Sequence, residues 1–503
     1  MLLKDFEGKL KKIYHWLRYP GDSLSQRVVH GGVWVFGIRI VSRGFSLIRT
    51  IVLARLLAPN DFGLFGIAML TLSGLERFSK TGFDQALVQK KEETETFLDT
   101  AWTVQVIRGF LLGGILVVGA PLVGLFFGEP RVILIVRVLG AAVALKSLRN
   151  IGVIYFRKDL EFHKQFVYEF SSAFADLMVA LSLAFIFRSV WALIFGLLAK
   201  NITKFLISYY IHSYKPSLRF EWKKAQNLFS FGVWIFLSGL LGFLVTQGDD
   251  IFVGKFLSTS ALGLYQLAYR ISNLPPREIT GTITRVIFPS YSKIQDSTEK
   301  MRELFFQVIK AVSSLVFPFS FAIFLLIPTF TNLILGEKWL KMVPAVQVLS
   351  FYGLSIALIS TIGPLLWGTG KPEESFQMNL LRTVVLAITI YPLTKYFGIV
   401  GTSIATLLAV TSNFPIFLFK IRRKLNIGIK QIWSETYSLV ISSLGMSLVI
   451  SLIIVFHPVN SMSLLLLTIF AGFASYLFFN FLFWRYLKVG LFCVANEILK
   501  QVV

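Results

Sequence analysis

The sequence predicts an all-α integral membrane protein with about fourteen transmembrane helices. We expect two six-helix lobes, related by a parallel pseudo-two-fold repeat, and two further helices at the C-terminal end. Three observations lead to this fold class. Long apolar runs recur along the chain, one block of sequence returns at a fixed offset, and basic residues collect on alternate loops.

The apolar runs are long enough for membrane-spanning helices. The chain has 503 residues, a mean hydropathy of +0.69 and only 15% charged residues. Runs of about 18 residues or more can cross a ~30 Å hydrocarbon core as helices, and barrel strands would instead alternate polar and apolar residues. The predicted spans start near residues 30, 62, 99, 131, 165, 190, 228, 262, 303, 343, 374, 398, 432 and 461. The second, fourth and eighth spans have the weakest pattern, because they carry charges and Gly or Pro.

An internal repeat divides the chain. GVWVF at 32–36 returns as GVWIF at 232–236, and GLF at 63–65 returns as GLY at 263–265. The register holds without a gap over about 45 residues, and such repeats are common in secondary transporters. Because the two copies start six spans apart, an even number, both halves enter the membrane in the same orientation. The sequence therefore predicts lobes related by an axis along the membrane normal.

Charge predicts the orientation in the membrane. The formal net charge is +23. Most Lys and Arg residues outside the spans fall on one set of alternate loops, which the positive-inside rule assigns to the cytoplasm. We expect both termini in the cytoplasm. The basic excess is then a feature of topology, and it does not indicate nucleic acid as a partner.

The same pattern predicts the domain limits. We expect a cytoplasmic amphipathic segment at 1–27, an N-terminal lobe at 28–211, a cytoplasmic linker at 212–226, a C-terminal lobe at 227–420, and spans thirteen and fourteen with a cytoplasmic tail at 421–503. In the first segment an apolar stripe opposes a lysine-rich face. This pattern fits a helix lying on an anionic leaflet and equally a solvated helix packed on the protein.

Two stretches resemble a known family. The first is the run 33–89, which contains LARLLAPNDFGLFGIA and GFDQALVQ, and the second is QGDDIFVGKFLSTSALGLYQLAYR at 247–270. Both resemble the polysaccharide transporter (PST) flippases of the MOP superfamily. These proteins export lipid-linked O-antigen or exopolysaccharide units. The resemblance implies alternating access of two lobes that carry a polyprenyl-pyrophosphate-linked oligosaccharide from the cytoplasmic to the outer leaflet. The partners it implies are this substrate and the membrane lipids, with a polysaccharide polymerase as a further candidate.

Cations inside the spans are the candidate substrate-binding residues. Ionisable groups in lipid cost about 2.5–3.5 kcal/mol each, so they usually face a wet interior or a partner. Arginine offers a planar fork of donors to phosphate oxygens. We therefore expect an inward-facing cationic cavity that binds pyrophosphate, formed by Arg39, Arg43, Arg49, Arg108, Lys146, Arg149, Arg270 and Arg277. The alternative is that several of these side chains reach to the interface or pair with in-span acids.

Three in-span acids are candidates for gating or ion coupling: Asp249, Asp250 and Glu169. At the offset of 200 residues Arg49 corresponds to Asp249, so an ion pair between Arg49 and Asp249 or Asp250 could form and break during transport. A permanent ion pair, or acids at the outer interface, would fit the pattern as well. The acids are also candidates for H⁺ or Na⁺ coupling.

Pro275 and Pro276 lie inside the eighth predicted span and are the candidate hinge. Consecutive prolines remove backbone donors and favour a kink. Proline is also tolerated in membrane helices without such a role.

The sequence contains no pattern typical of an enzyme. It has no P-loop and no HExxH, its five histidines are scattered, and it has a single cysteine. We therefore predict no catalytic residue, no metal site and no bound cofactor. The rival functions are a multidrug or metabolite antiporter of the same superfamily and a membrane glycosyltransferase or polymerase.

Overall fold

The computed structural model describes residues 24–79, 94–159, 161–221 and 232–487. Within these ranges the chain is helical, with no β-strand, which confirms the all-α prediction. The long helices are α1 (Leu24–Leu56), α2 (Pro59–Phe78), α3 (Thr94–Phe127), α4 (Arg131–Ser147), α5 (Phe162–Phe187), α6 (Trp191–Ile211), α7 (Gly232–Phe256), α8 (Thr259–Lys293), α9 (Thr298–Phe330), α10 (Val343–Ser360), α11 (Pro372–Thr411), α12 (Phe414–Leu425), α13 (Ile429–Phe456) and α14 (Met462–Leu487). Shorter helical turns lie at Ile151–Ile154, Tyr155–Lys158, Thr331–Leu335, Glu337–Met342 and Ile362–Gly368.

Eight segments of the described chain are long and apolar enough to cross a membrane, and they confirm a multi-pass membrane protein. They are Leu98–Phe127, Phe162–Phe187, Trp191–Ile211, Thr298–Leu335, Glu337–Gly368, Glu373–Leu425, Ile429–Phe456 and Met462–Tyr486. The predicted spans near 30, 62, 131, 228 and 262 do not reach this standard. α4 has only 17 residues, and α8 carries several charges. The count of fourteen crossings and the symmetry of the lobes therefore stay predictions.

One of the eight segments contains two predicted spans. The segment Glu373–Leu425 has 53 residues, and the predicted starts near 374 and 398 both fall inside it. Gly398 has φ 57° and ψ −137°, a conformation that only glycine adopts without strain, and it breaks α11 into two helical stretches.

The contacts divide the chain into two compact units, Met1–Phe243 and Leu244–Val503. The division falls inside α7, after the predicted linker at 212–226, and the predicted domain limits stay predictions. The N-terminal segment 1–27 and the C-terminal tail lie largely outside the described residues.

In the first unit, glycines let α3 and α4 pack at very short range. A Cβ atom added to Gly113 would lie 2.6 Å from the Gly140 carbonyl oxygen, and one added to Gly109 would lie 2.0 Å from the Ser147 Cβ. Small residues at such contacts are typical of helix pairs in membranes, where close packing replaces the hydrophobic effect as the attraction between helices. These glycines therefore set the distance between α3 and α4.

Two side chains of α3 hold the C-terminal end of α4. The Trp102 Nε1–H donates to the Arg149 carbonyl at 3.1 Å, and the Gln105 amide donates to the Ser147 carbonyl at 2.7 Å. The last carbonyls of a helix have no partner within the helix, so these bonds satisfy groups that would otherwise stay unpaired. As a result, the backbone that carries Arg149 has a defined position.

The segment after α6 runs along the end of α3 as an extended strap over 212–221. Asp99 accepts hydrogen bonds from the Tyr214 hydroxyl, from the Ser217 N–H at 3.0 Å and from the Ser217 hydroxyl at 2.6 Å. Burial, reinforced by the bond to Asp99, raises the pKa of Tyr214, so this hydroxyl keeps its proton and donates. The part of the predicted linker that the structure describes is therefore bound to the first unit.

We expect Gly113→Leu to destabilise the first unit, because the new side chain collides with the backbone of α4. Overpacking of this kind costs about 1–3 kcal/mol. The matched control is Gly114→Leu on the same helix, where an added Cβ meets nothing within 4 Å. Thermal unfolding of the two purified variants in detergent measures the difference, and equal midpoints would contradict the packing assigned to Gly113.

Candidate functional site

The first unit contains a cavity of about 240 Å³ whose lining is mostly cationic. Four of its six lining residues carry a positive charge. The lining consists of Lys146, Arg149, Leu197, Lys200, Asn201 and Lys204. Lys146 and Arg149 were predicted site residues, and the structure brings them together with two lysines of α6.

Helical spacing explains the α6 side of the cavity. Leu197, Lys200, Asn201 and Lys204 follow at i, i+3, i+4 and i+7, which places them on one face of the helix. The opposite side belongs to the end of α4, whose carbonyls are held by Trp102 and Gln105. Lys200 and Lys204 are spaced i, i+4 in an otherwise apolar helix. This spacing is the sequence signal from which α6 could have been predicted to contribute to the site.

Two carboxylates neutralise half of this charge. The Lys146 Nζ lies 2.8 Å from a Glu76 carboxylate oxygen, and the Lys204 Nζ lies 2.9 Å from Glu169 and 5.1 Å from the centre of the Tyr168 ring. No carboxylate of a described residue lies within 4.0 Å of Arg149 or Lys200. With four cations and two acids, the cavity keeps a surplus of two positive charges.

Arg108 belongs to the same group of charges, next to the cavity. Its guanidinium donates to the Ser79 hydroxyl at 2.9 Å and to the Glu76 carbonyl at 3.2 Å. Glu76 therefore contacts Arg108 through its backbone and Lys146 through its carboxylate. The end of α2 thus connects two of the predicted site cations.

Arg49 has a partner within its own unit. Its Nε lies 3.0 Å from the Asp176 Oδ1, with both side chains largely buried, and an Nη donates to the Leu193 carbonyl at 3.3 Å. This arrangement joins α1, α5 and α6. Gly196 makes room for it, since a Cβ there would lie 2.7 Å from the Asp176 Oδ1. Arg49 is not among the residues that line the 240 Å³ cavity.

The predicted gate between Arg49 and Asp249 or Asp250 stays a prediction. In the structure Arg49 is paired with Asp176, and this ion pair must break before Arg49 can bind Asp249 or Asp250. Arg39 is half-buried and Arg43 is exposed on α1. Neither lines the cavity, and their predicted role is likewise untested.

The second unit buries two adjacent acids. Asp249, only 4% exposed, accepts a hydrogen bond from the Tyr265 hydroxyl at 2.8 Å, and that hydroxyl lies 3.3 Å from the Thr406 hydroxyl. The buried Oδ1 of Asp250 has no hydrogen-bond partner among the described residues. The two predicted coupling acids therefore occupy different environments, one satisfied and one with an unpaired oxygen.

A buried arginine that the sequence analysis did not select lies near these acids. Arg382, on α11, is 8% exposed, and it donates to the Tyr352 hydroxyl at 2.8 Å. That hydroxyl lies 2.8 Å from the Tyr269 hydroxyl. Arg382 interacts electrostatically with Asp249 without a direct ion pair. It stands alone in a long apolar run, and this isolation is the signal that could have identified it.

The remaining predicted residues lie on α8. Arg270 and Arg277 are exposed, and the helix continues through Pro275 and Pro276. Pro276 packs closely on α10, where a Cβ at Gly353 would lie 2.9 Å from the Pro276 Cγ. The hinge role of the two prolines stays a prediction.

Similarity to solved structures defines the fold. A lipid II flippase, MurJ, in its inward closed conformation is similar with a TM-score of 0.69 and 17% identity, over 92% of this chain and all of that one. A multidrug resistance MATE family transporter of the MOP superfamily, in its inward-facing conformation, is similar with a TM-score of 0.62 and 14% identity, over 76% of this chain and 95% of that one. The chain therefore has the fold of these two membrane proteins.

Sequence similarity defines the family. Residues 52–344, more than half of the chain, match the family described as polysaccharide biosynthesis protein, and the chain belongs to this family. The lipopolysaccharide biosynthesis protein WzxC of Escherichia coli K12 is 26% identical over 432 residues, 86% of each chain. The teichuronic acid biosynthesis protein TuaB of Bacillus subtilis 168 is 27% identical over 300 residues, 59% of this chain and 62% of its own. The chain is thus a multi-pass membrane protein of a polysaccharide biosynthesis family.

We expect the Arg49–Asp176 pair to be structural. Asp176→Asn and Arg49→Gln should each lower the free energy of unfolding by roughly 3 kcal/mol, because each leaves one buried charge without its partner. The double variant should cost clearly less than the sum of the two single changes. Thermal or denaturant unfolding of the purified proteins gives this double-mutant cycle, and additive effects would rule out a direct interaction.

Proposed function

We propose that this protein flips polyprenyl-pyrophosphate-linked oligosaccharides from the cytoplasmic to the outer leaflet of the bacterial inner membrane. It does so by alternating access of two six-helix lobes, in a chain with fourteen crossings and both termini in the cytoplasm. Membership of a polysaccharide biosynthesis family, the transporter fold and relatives such as WzxC support this function. A polysaccharide polymerase is a candidate partner in the same membrane.

The cationic cavity is the observation that carries the proposal. Its surplus of two positive charges, on Arg149 and Lys200, favours an anion with more than one negative charge. Pyrophosphate meets this need, and the guanidinium fork of Arg149 can donate two hydrogen bonds to phosphate oxygens. Drug-sized ligands fill pockets of about 300–1,000 Å³. A cavity of about 240 Å³ therefore suits the phosphate head better than the whole oligosaccharide.

Glu76 and Glu169 make this cavity possible in a membrane. Four unpaired cations so close together would repel one another, and each carries the cost of a charge in lipid. The two glutamates neutralise Lys146 and Lys204 and hold their ammonium groups in place. An incoming phosphate then meets two cations that are not already paired with an acid.

The charge of the cavity also favours one of the two transporter functions. Cationic drugs would be repelled by the same surplus that attracts phosphate. The antiporter function is therefore the weaker candidate.

A coupling cation has a candidate site in the second unit. When ionised, the buried Asp249 and Asp250 carry two negative charges, and the nearby Arg382 carries one positive charge. The remaining charge can be balanced by H⁺ or Na⁺, and the unpaired Oδ1 of Asp250 is available to take it. Glu169, the third candidate, holds Lys204 and is better suited to maintaining the cavity.

The substrate site is tested by Arg149→Gln combined with Lys200→Gln. Each charge-assisted hydrogen bond to phosphate is worth about 1.5–3 kcal/mol, a factor of roughly 10 to 150, so losing two should lower export by about 100-fold or more. The matched control is Arg137→Gln, an exposed cation on α4 outside the cavity. A deletion strain that produces each variant is assayed for lipid-linked repeat units retained on the cytoplasmic face. Normal export by the double variant, at equal protein abundance, would refute the site.

The coupling site is tested by Asp250→Asn. This change removes the charge that the coupling cation balances, so transport into proteoliposomes should lose its dependence on a H⁺ or Na⁺ gradient. Phosphate binding in the first unit should persist. An unchanged response to both gradients would exclude Asp250 as the coupling residue.

A further inference from the structure

The junction between α12 and α13 connects two segments that are long and apolar enough to cross a membrane. One membrane-spanning segment ends at Leu425 and the next begins at Ile429. Only three residues separate them, and we expect this turn at the membrane surface because the charged residues around it would be costly deeper in lipid. At about 1.5 Å per residue, side chains within four to six residues of the turn lie less than about 10 Å inside the bilayer.

The cations at this junction fall into two groups. Lys420 and Lys424 both form ion pairs with Glu374, with nitrogen–oxygen distances of 2.8 and 3.7 Å. Arg422, Arg423 and Lys430 are exposed, and no carboxylate of a described residue lies within 4.0 Å of them. This second group presents three exposed positive charges around the turn.

Large apolar side chains lie just below these charges. Phe419 precedes Arg422 and Arg423 by one turn on the same face of α12 and is 64% exposed. On α13, Ile429 is 64% and Trp433 is 57% exposed. Tryptophan prefers the level of the membrane interface. The junction therefore offers apolar contacts for acyl chains directly beneath cations suited to a phosphate.

We propose that the α12–α13 junction binds an anionic phospholipid, such as phosphatidylglycerol. Arg422, Arg423 and Lys430 contact the headgroup phosphate, while Phe419 and Trp433 contact the acyl chains. Basic groups between transmembrane helices are a recurring way to recognise acidic lipids. The site lies in the second unit, is separate from the cationic cavity, and does not depend on the flippase function.

The experiment compares lipid binding to the full-length protein in neutral detergent by native mass spectrometry. The probes are dioleoyl phosphatidylglycerol and dioleoyl phosphatidylcholine at low salt. The wild-type protein should bind phosphatidylglycerol more tightly. Arg422→Gln with Arg423→Gln should weaken that binding about 25-fold, from roughly fivefold for each basic residue near an anionic lipid.

Three further variants make the result specific. Lys293→Gln with Lys300→Gln removes two exposed cations, one at the end of α8 and one in the first turn of α9, and should leave the affinity unchanged. Arg422→Lys with Arg423→Lys keeps the charge and should retain most of the binding. Lys430→Gln provides a milder single change, with a loss of about fivefold, should the arginine double variant fold poorly.

Equal binding of the two lipids by the wild-type protein would overturn the proposal. An equal loss in the Lys293 and Lys300 variant would overturn it as well, because general surface charge would then explain the binding. Undecaprenyl phosphate that displaces phosphatidylglycerol from the wild-type protein, but not from the Arg422 and Arg423 variant, would assign the junction to a polyprenyl lipid instead. None of these readouts requires transport, so they are independent of the proposed flippase activity.

Discussion

The neutralisation of two lysines by Glu76 and Glu169 is the interaction on which the candidate site depends. Four cations around one small cavity would repel one another and would be expensive among apolar helices. The pairs Lys146–Glu76 and Lys204–Glu169 remove half of that charge and fix the lysines, so that Arg149 and Lys200 supply the surplus. The packing of α3 on α4 and the bonds to the Arg149 and Ser147 carbonyls hold this arrangement in place.

In the second unit the balance of buried charges is the opposite. There the acids outnumber the cation, and hydroxyl groups of Tyr265, Tyr269 and Tyr352 connect Asp249 and Arg382 to their surroundings. A group with surplus negative charge suits a cation, and a group with surplus positive charge suits a phosphate. This difference in charge is the reason why we propose an anionic substrate for the first unit and a coupling cation for the second.

Several features were predictable because they depend on local sequence. Apolar runs indicate membrane helices, since the backbone in lipid must satisfy its own hydrogen bonds, and Lys146 and Arg149 stood out as charges in such runs. Other features depend on which helices become neighbours. Nothing along the chain joins Arg49 to Asp176, which is 127 residues away. The offset of the repeat instead suggested Asp249, because the sequence shows equivalence between halves but does not show contacts within one half.

By itself, the sequence determined the all-α class, the multi-pass membrane character and the kind of charge available for a substrate. These follow from composition, hydropathy and the cost of charge in lipid, which act residue by residue. Only the tertiary structure decided which charges act together. It placed Lys200 and Lys204 beside Lys146 and Arg149. It also paired Arg49 with Asp176 and brought Arg382 near Asp249. The physical reason is that a charge in a membrane is stabilised by whichever neighbour the helix packing brings within a few ångströms, and that neighbour is usually distant along the chain.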